Sequence, residues 1–99
     1  MSIIVDLISH KIKYLICEEG GGGMQFNSQT TGAVIRKLRI QKGMTQDLLS
    51  GLAGIARTHL TMIENGTKQP NFETIWKIAS ALEMKPSELV AEIEKEISE

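Results

Sequence analysis

Four polar residues lie close together in the chain, Arg57, Thr58, His59 and Thr61. Each can donate a hydrogen bond, threonine and histidine can also accept one, and an arginine guanidinium can donate two parallel bonds to the O6 and N7 atoms of a guanine. The Thr58 methyl group can in addition contact the methyl group of a thymine. These residue types are therefore suited to contacting the edges of DNA bases.

The sequence offers little for covalent or metal chemistry. It has no Ser/His/Asp or Cys/His arrangement, and a 99-residue chain leaves little room for a cleft that excludes water. His59 has no second histidine, cysteine or carboxylate pair at ligand spacing, and the single cysteine, Cys17, cannot form an internal disulfide. We therefore expect no catalytic residue, no metal and no cofactor, and an enzyme is the weakest of the function classes.

The elements that position the four polar residues follow helical patterns. Periodicity begins at Thr31, after which Val34, Ile35 and Leu38 recur at intervals of three and four residues until Gly43. A second helix is predicted over residues 46–53. The residue before it, Thr45, is a suitable N-cap because its hydroxyl can accept a hydrogen bond from an amide two or three residues on.

The third predicted helix begins near Ala56 and directs Leu60 and Ile63 inward, with Asn65-Gly66 at its end. Together with the second helix and the turn at Gly54 it forms the outline of a helix-turn-helix, whose second helix enters the DNA major groove. Ser50 is small where the two helices cross. This geometry would direct the polar side chains at the start of the third helix toward base edges.

Two more helices complete an all-α domain. The fourth carries an apolar stripe of Phe72, Ile75, Ile78, Ala79 and Leu82, with Trp76 on its flank. Pro86 begins the fifth, at a position where its missing amide hydrogen has no cost. Its apolar face is wide for a last helix with little chain left to cover it, so we expect that face to form a dimer interface. The residues of this predicted interface are Leu89, Val90, Ile93 and Ile97.

The net charge of -1 conceals two halves of opposite sign. Residues 32–68 hold six lysines and arginines against two acids, a net charge of +4, whereas residues 69–99 hold three lysines against seven glutamates, a net charge of -4. The basic half is the one that contains the helix-turn-helix outline. It could attract a polyanion such as DNA.

The N-terminal run from Ser2 to Cys17 is apolar but interrupted by Asp6, Lys11 and Lys13. A membrane span needs about 20 mostly apolar residues, and a signal peptide needs an uninterrupted apolar stretch. We therefore expect no membrane partner and a cytoplasmic protein.

The stretch from Gly32 to Leu89 resembles the Cro and lambda-repressor type of helix-turn-helix domain, also called XRE-like. Its markers fall at the spacing of that family: Arg36, Leu38, Arg39, Lys42-Gly43, Thr45-Gln46, Leu49, Gly54, Ile63-Glu64, Gly66, Pro70, Ala81-Leu82 and Glu88-Leu89. The resemblance implies a compact five-helix, lambda-repressor-like DNA-binding domain over residues 31–99, preceded by an N-terminal extension over residues 1–30. The fifth helix, over residues 86–98, would be its dimerisation helix.

Within that family, the segments "KGMTQ" and "RTHLTMIENG" are especially similar to the controller proteins of restriction-modification systems. The resemblance implies a homodimeric transcriptional regulator that binds a palindromic double-stranded DNA operator, with RNA polymerase or a toxin protein as a further partner. Base contacts would come from Arg57, Thr58, His59 and Thr61. Phosphate contacts would come from Thr45, Gln46, Asn65, Thr67 and Lys68.

Some residues depart from the family pattern. Ala56 replaces the usual Ser or Thr cap of the third helix, and Gly51 lies inside the second helix at a cost of about 1 kcal/mol relative to alanine. Leu48 and Leu52, one turn apart, occupy positions that are usually polar. They predict an exposed apolar patch or a contact with the N-terminal segment. An alternative function follows, an antitoxin that masks a toxin through this patch or the fifth helix and autoregulates its operon.

Four glycines at residues 20–23 lie between the N-terminal run and the domain. No Lys-Ser or Lys-Thr follows them, so they do not form a phosphate-binding loop. A flexible linker remains open. We expect instead that Met24 is the natural start and that residues 1–23 are a translated leader.

Overall fold

The computed structural model describes residues 26–98 of the 99-residue chain. That part contains no strand and five helices, α1 (Ser28–Gln41), α2 (Gln46–Ala53), α3 (Arg57–Glu64), α4 (Phe72–Ala81) and α5 (Pro86–Ser98). The predicted five-helix all-α fold is confirmed. The expectations for the N-terminal run, the glycines at 20–23 and the start at Met24 lie outside the described residues.

Helix α1 begins three residues before the predicted start at Thr31. The side chain of Asn27 caps it by accepting hydrogen bonds from the backbone amides of Gln29, at 2.8 Å, and Thr30, at 3.2 Å. The first turn of α1 is polar, so it lacks the apolar periodicity on which the prediction depended. Helix α1 therefore includes residues 28–30, which lie before the predicted start of the domain at residue 31.

Helices α2 and α3 have the predicted bounds. The Thr45 hydroxyl accepts a hydrogen bond from the amide of Leu48 at 3.1 Å, which confirms the predicted N-cap. Gly54 follows α2 with a φ of 71°, a left-handed conformation that a glycine adopts without steric cost. Ala56 precedes α3 and makes no side-chain capping bond, so the departure noted in the sequence is real.

Helix α4 buries most of its predicted stripe. Ile78, Ala79 and Leu82 are inaccessible to solvent, whereas Phe72, at the start of the predicted stripe, is 72% exposed. Phe72 is the first residue of α4 and lies at the edge of the packed face, where its ring pairs with Trp76 at a centroid distance of 5.9 Å.

The core is formed by aliphatic side chains from all five helices, and every described aromatic ring lies outside it. Helix α1 packs against α3 and α5, α2 packs against α3 and α4, and α4 packs against α5. The chain therefore presents α2 and α3 as a unit supported from behind by α1 and α4. The core residues are Val34, Ile35, Leu49, Ala53, Leu60, Ile63, Ile75, Ile78, Ala79, Ala81, Leu82, Leu89 and Ile93.

Candidate nucleic-acid interface

The turn between α2 and α3 fixes the angle between the two helices. After Gly54, the amide of Ile55 donates back to the carbonyl of Ser50 at 3.0 Å. Ser50 is 4% exposed, and its hydroxyl donates to the carbonyl of Asp47 at 3.2 Å, so this small polar side chain is buried without losing its hydrogen bond. Leu49 and Leu60 are fully buried on the inner faces of the two helices.

The outer face of α3 carries most of the predicted base-contact residues. Arg57 and Thr58 are exposed, and His59 is partly buried. Met62 is exposed one turn after Thr58, as expected for a residue on the outer side of this helix. The first turn of α3 therefore presents one guanidinium and one hydroxyl to solvent, on a helix whose opposite face is anchored in the core.

Thr61, the fourth predicted base contact, is engaged inside the protein. Its hydroxyl oxygen lies 3.1 Å from Oε1 of Gln46 and 3.0 Å from the carbonyl oxygen of Arg57, so its one hydrogen is donated internally. The other end of the Gln46 amide donates from Nε2 to Oε1 of Glu64 at 3.0 Å. The side chains of Thr61 and Gln46 thus connect α2 to α3, a role that the predicted base and phosphate contacts did not include.

A buried ion pair between Arg39 and Glu64 completes this connection. Nε of Arg39 lies 2.7 Å from Oε2 of Glu64, and a second guanidinium nitrogen lies 3.0 Å from Oε1. The third nitrogen donates to the carbonyl of Met44 at 2.9 Å. Because the two side chains are only 11% and 2% exposed, water cannot replace these bonds. The pair holds α1 to α3 directly behind the outer face of α3.

The sequence does not reveal this pair. Arg39 and Glu64 are both markers of the family resemblance, and nothing local in the sequence connects them. The two residues are 25 positions apart, so no local period connects them. The available signal was a glutamate next to inward-facing Ile63 on a short helix.

The predicted phosphate-contact residues lie at two helix ends. Thr45 is exposed at the start of α2, where the first amides have no partner within the helix. Gln46, in the first turn of α2, is partly buried and engaged with Thr61 and Glu64, and the remaining three, Asn65, Thr67 and Lys68, are exposed just after α3. The amides of Thr67 and Lys68 both donate to the carbonyl of Met62, at 3.0 and 3.2 Å, which folds this loop against the last turn of α3.

The structure divides the predicted dimer residues between two environments. Leu89 and Ile93 are 0% and 6% exposed and belong to the core of the same chain, which corrects the expectation that nothing would cover them. Helix α5 packs against α1 and α4, and these helices provide the missing cover. Val90 is 45% exposed and Ile97 is partly buried.

Val90 and Ile97 line an apolar groove of about 370 Å³ between α4 and α5. The residues that line this groove are Phe26, Pro70, Phe72, Ile75, Val90, Ile93, Glu94 and Ile97.

Leu48 and Leu52 on α2 are exposed, which is what the prediction of an exposed apolar patch requires. The alternative prediction, a contact with the N-terminal segment, involves residues outside the described part.

Within residues 26–98, no helix combines the length and the apolar character needed to cross a membrane. The same part of the chain brings no three His, Cys, Asp or Glu side chains together as a metal site.

Comparison with known proteins agrees with this geometry. The sequence model of the helix-turn-helix family matches residues 35–89, which is more than half of the chain. The chain belongs to the helix-turn-helix family. The matched segment contains α2, α3 and the whole Arg39–Glu64 connection.

Two relatives and one solved structure illustrate the similarity. The chain is 42% identical over 48 residues to the uncharacterized HTH-type transcriptional regulator YqaF of Bacillus subtilis (strain 168), covering 48% of this chain and 63% of that protein. It is 33% identical to the control protein C.BamHI of Bacillus amyloliquefaciens, covering 60% and 74%. The structure of the restriction-modification controller protein C.AhdI from Aeromonas hydrophila matches with a TM-score of 0.61 at 34% identity, covering 63% and 94%.

Proposed function

We propose that the protein is a DNA-binding transcriptional regulator that recognises a specific sequence with α3 in the major groove. Family membership supports DNA binding and transcription regulation. The role of α3 is supported by its two different faces. Arg57 and Thr58 are exposed on one face, and Leu60 and Ile63 are fully buried on the other. A helix held in this way can enter a groove without losing its own packing.

The base contacts come from the first turn of α3. Arg57 donates two parallel bonds to a guanine, and Thr58 contacts a neighbouring base through its hydroxyl or its methyl group. His59 lies beside them and can donate or accept a hydrogen bond. Thr61 stabilises the position of this turn, because its hydroxyl lies within hydrogen-bond distance of the Gln46 side chain and of the Arg57 carbonyl oxygen.

The phosphate contacts come from the two ends of the motif. At the start of α2, the free amides and the helix dipole favour an anion. The Thr45 hydroxyl can donate to a phosphate while it accepts from Leu48, because a hydroxyl has one donor and two acceptor positions. After α3, Asn65, Thr67 and Lys68 approach the backbone of the same half-site.

The regulator acts as a homodimer through the groove between α4 and α5. Phe72 and Val90 line this groove and are each at least 45% exposed, and the exposed ring of Trp76 pairs with that of Phe72, so a second copy would cover apolar surface. A two-fold dimer presents two copies of α3, which suits a palindromic operator with half-sites about one helical turn apart. The similarity to C.AhdI and C.BamHI supports a role as controller of a restriction-modification system.

A second candidate function is supported by the exposed patch on α2. Leu48 and Leu52 are 49% and 59% exposed, one turn apart, and face away from the core. An apolar pair of this kind can bind another protein, as in an antitoxin that masks a toxin and also represses its own operon. The same surface could instead contact RNA polymerase.

Selection of binding sites from a randomised double-stranded DNA library tests the proposal. The full chain is expected to enrich a palindromic sequence, and its affinity should fall steeply as salt is raised because phosphate contacts release counterions. Val90→Glu should abolish the dimer in sedimentation and weaken binding to the palindrome. Leu52→Glu, the matched control that also replaces an exposed aliphatic residue by glutamate, should leave both unchanged.

A library that yields no enriched sequence would contradict the proposed function. Dimers that persist in Val90→Glu would contradict the role of the α4–α5 groove alone. Co-purification of a second small protein that is lost in Leu52→Glu would favour the antitoxin function.

A further inference from the structure

Asp47 lies beside the residue proposed to contact a guanine. Its Oδ1 atom is 3.4 Å from Nε of Arg57, and both side chains are largely exposed, at 74% and 62%. Asp47 is in the first turn of α2 and Arg57 is the first residue of α3, so the pair spans the helix-turn-helix at its outer surface.

The negative charge of Asp47 is unusual for this part of the chain. Residues 32–68, all of which the structure describes, contain six lysines and arginines but only two acids, Asp47 and Glu64. Glu64 is buried and neutralised by Arg39. Asp47 is therefore the one exposed carboxylate in the basic segment, and it lies at the start of α2, where we expect a phosphate to approach.

A carboxylate in the first turn of α2 can stabilise that helix, but this role does not account for the contact with Arg57. An acidic residue in the first turn of a helix interacts favourably with the helix dipole. That interaction does not require Arg57, and an exposed ion pair contributes little to folding.

The geometry of the contact leaves Arg57 able to bind a base. The shortest contact of the carboxylate is with Nε and the Arg57 side chain is 62% exposed, so a guanine can still approach its terminal nitrogens, which can donate the parallel bonds that O6 and N7 accept. Asp47 also restricts the rotation of a long side chain before DNA arrives, which lowers the entropy lost on binding.

The same carboxylate disfavours the competing contact. A phosphate is an anion and is repelled by Asp47, whereas O6 and N7 of guanine belong to a base without net charge. Binding to DNA of arbitrary sequence depends almost entirely on phosphate contacts. Asp47 therefore weakens the attraction of Arg57 for the backbone more than its bond to a guanine.

We infer that Asp47 is a specificity-determining residue that acts through Arg57. It orients the guanidinium toward a base and keeps it from the phosphates of non-cognate DNA. This inference rests on the proposed base contact of Arg57 and extends the recognition surface to α2.

Asp47→Asn in the full chain tests the inference. Affinity is measured for the duplex that the wild-type protein selects from the randomised library and for a shuffled duplex of the same length and composition. We expect the ratio of the two affinities to fall by about three- to tenfold, mainly because binding to the shuffled duplex becomes tighter. The salt dependence of that binding should steepen by about one phosphate contact, a logarithmic slope change near 0.9.

Two controls separate this role from a general effect of charge. Glu73→Gln removes another exposed carboxylate from an ion pair, with Lys77 at 3.2 Å, and should leave the ratio unchanged. In an Arg57→Ala background, Asp47→Asn should no longer change the ratio. Because both duplexes are measured with one preparation, a partly unfolded variant lowers both affinities and does not alter their ratio.

An unchanged ratio in Asp47→Asn, or an equal fall with and without Arg57, would overturn the inference while the proposed function stands. A wild-type protein that prefers no sequence would overturn both.

Discussion

Two arginine–carboxylate pairs flank the helix-turn-helix, and they differ in almost every physical property. Arg39 and Glu64 are buried and joined by two short contacts, whereas Arg57 and Asp47 are exposed and their shortest contact is 3.4 Å. Removing one partner of a buried pair costs about 3–5 kcal/mol, because the other charge stays buried without compensation. An exposed pair is worth about 0.2–1 kcal/mol.

The difference indicates a division of roles between the two arginines. Arg39 has all its nitrogens engaged within the protein, with Glu64 and the carbonyl of Met44. Arg57 makes its shortest contact with Asp47 through Nε at 3.4 Å, and its side chain is 62% exposed. The first arginine stabilises the arrangement of helices, and the second remains available for a ligand.

We expect the largest loss of stability from Gly32→Ala. Gly32 lies where the backbone of α1 approaches that of α3, the two helices that the buried pair joins. A Cβ at this position would overlap the carbonyl oxygen of Ile63 and lie 2.8 Å from that of Glu64. Since neither backbone group can move independently, α1 must shift away from α3. We expect the free energy of unfolding to fall by more than about 4 kcal/mol, as measured by urea denaturation.

Gly51→Ala is the matched control, because Gly51 also lies inside a helix but a Cβ there would meet nothing within 4 Å. It should stabilise the protein by about 0.5–1 kcal/mol through helix propensity. Equal stability of the two variants would contradict the close approach of α1 to α3.

Glu64→Gln is expected to have the next largest effect. The glutamine keeps the size of the side chain but removes the charge that compensates Arg39, so the free energy of unfolding should fall by about 3 kcal/mol. Urea denaturation of Glu64→Gln beside Glu73→Gln, which breaks an exposed pair, gives the comparison. The second variant should stay within about 0.5 kcal/mol of the wild type. A loss below about 1 kcal/mol for Glu64→Gln would indicate that the pair is not needed for the fold.

The sequence predicted the features that depend on neighbouring residues. The bounds of α2 and α3, the Thr45 cap and the start of α5 at Pro86 each follow from local rules for capping and helix periodicity. The predicted start of α1 was wrong by three residues, because the first turn of this helix is polar. Asn27, a residue type that often caps helices, was the local signal for the correct start.

The features that depend on distant residues were missed. The Arg39–Glu64 pair and the contact at Gly32 join residues of different helices, so no pattern within one helix reveals them. The burial of Leu89 and Ile93 has the same origin, since α1 and α4 cover a face that looked unpartnered along the chain. In the candidate interface, Arg57 is exposed, as its predicted base contact requires, whereas tertiary contacts engage Thr61 internally.

The most direct test of the division of roles is Arg57→Ala, measured for both stability and DNA recognition. Affinities are determined for the selected duplex and for a panel in which each base pair is replaced in turn. We predict an unfolding free energy within about 0.5 kcal/mol of the wild type, a loss of about 1–3 kcal/mol in binding to the selected duplex, and loss of discrimination at one base position of each half-site. A variant that loses the same affinity for every duplex, or that loses stability as Glu64→Gln does, would contradict the account.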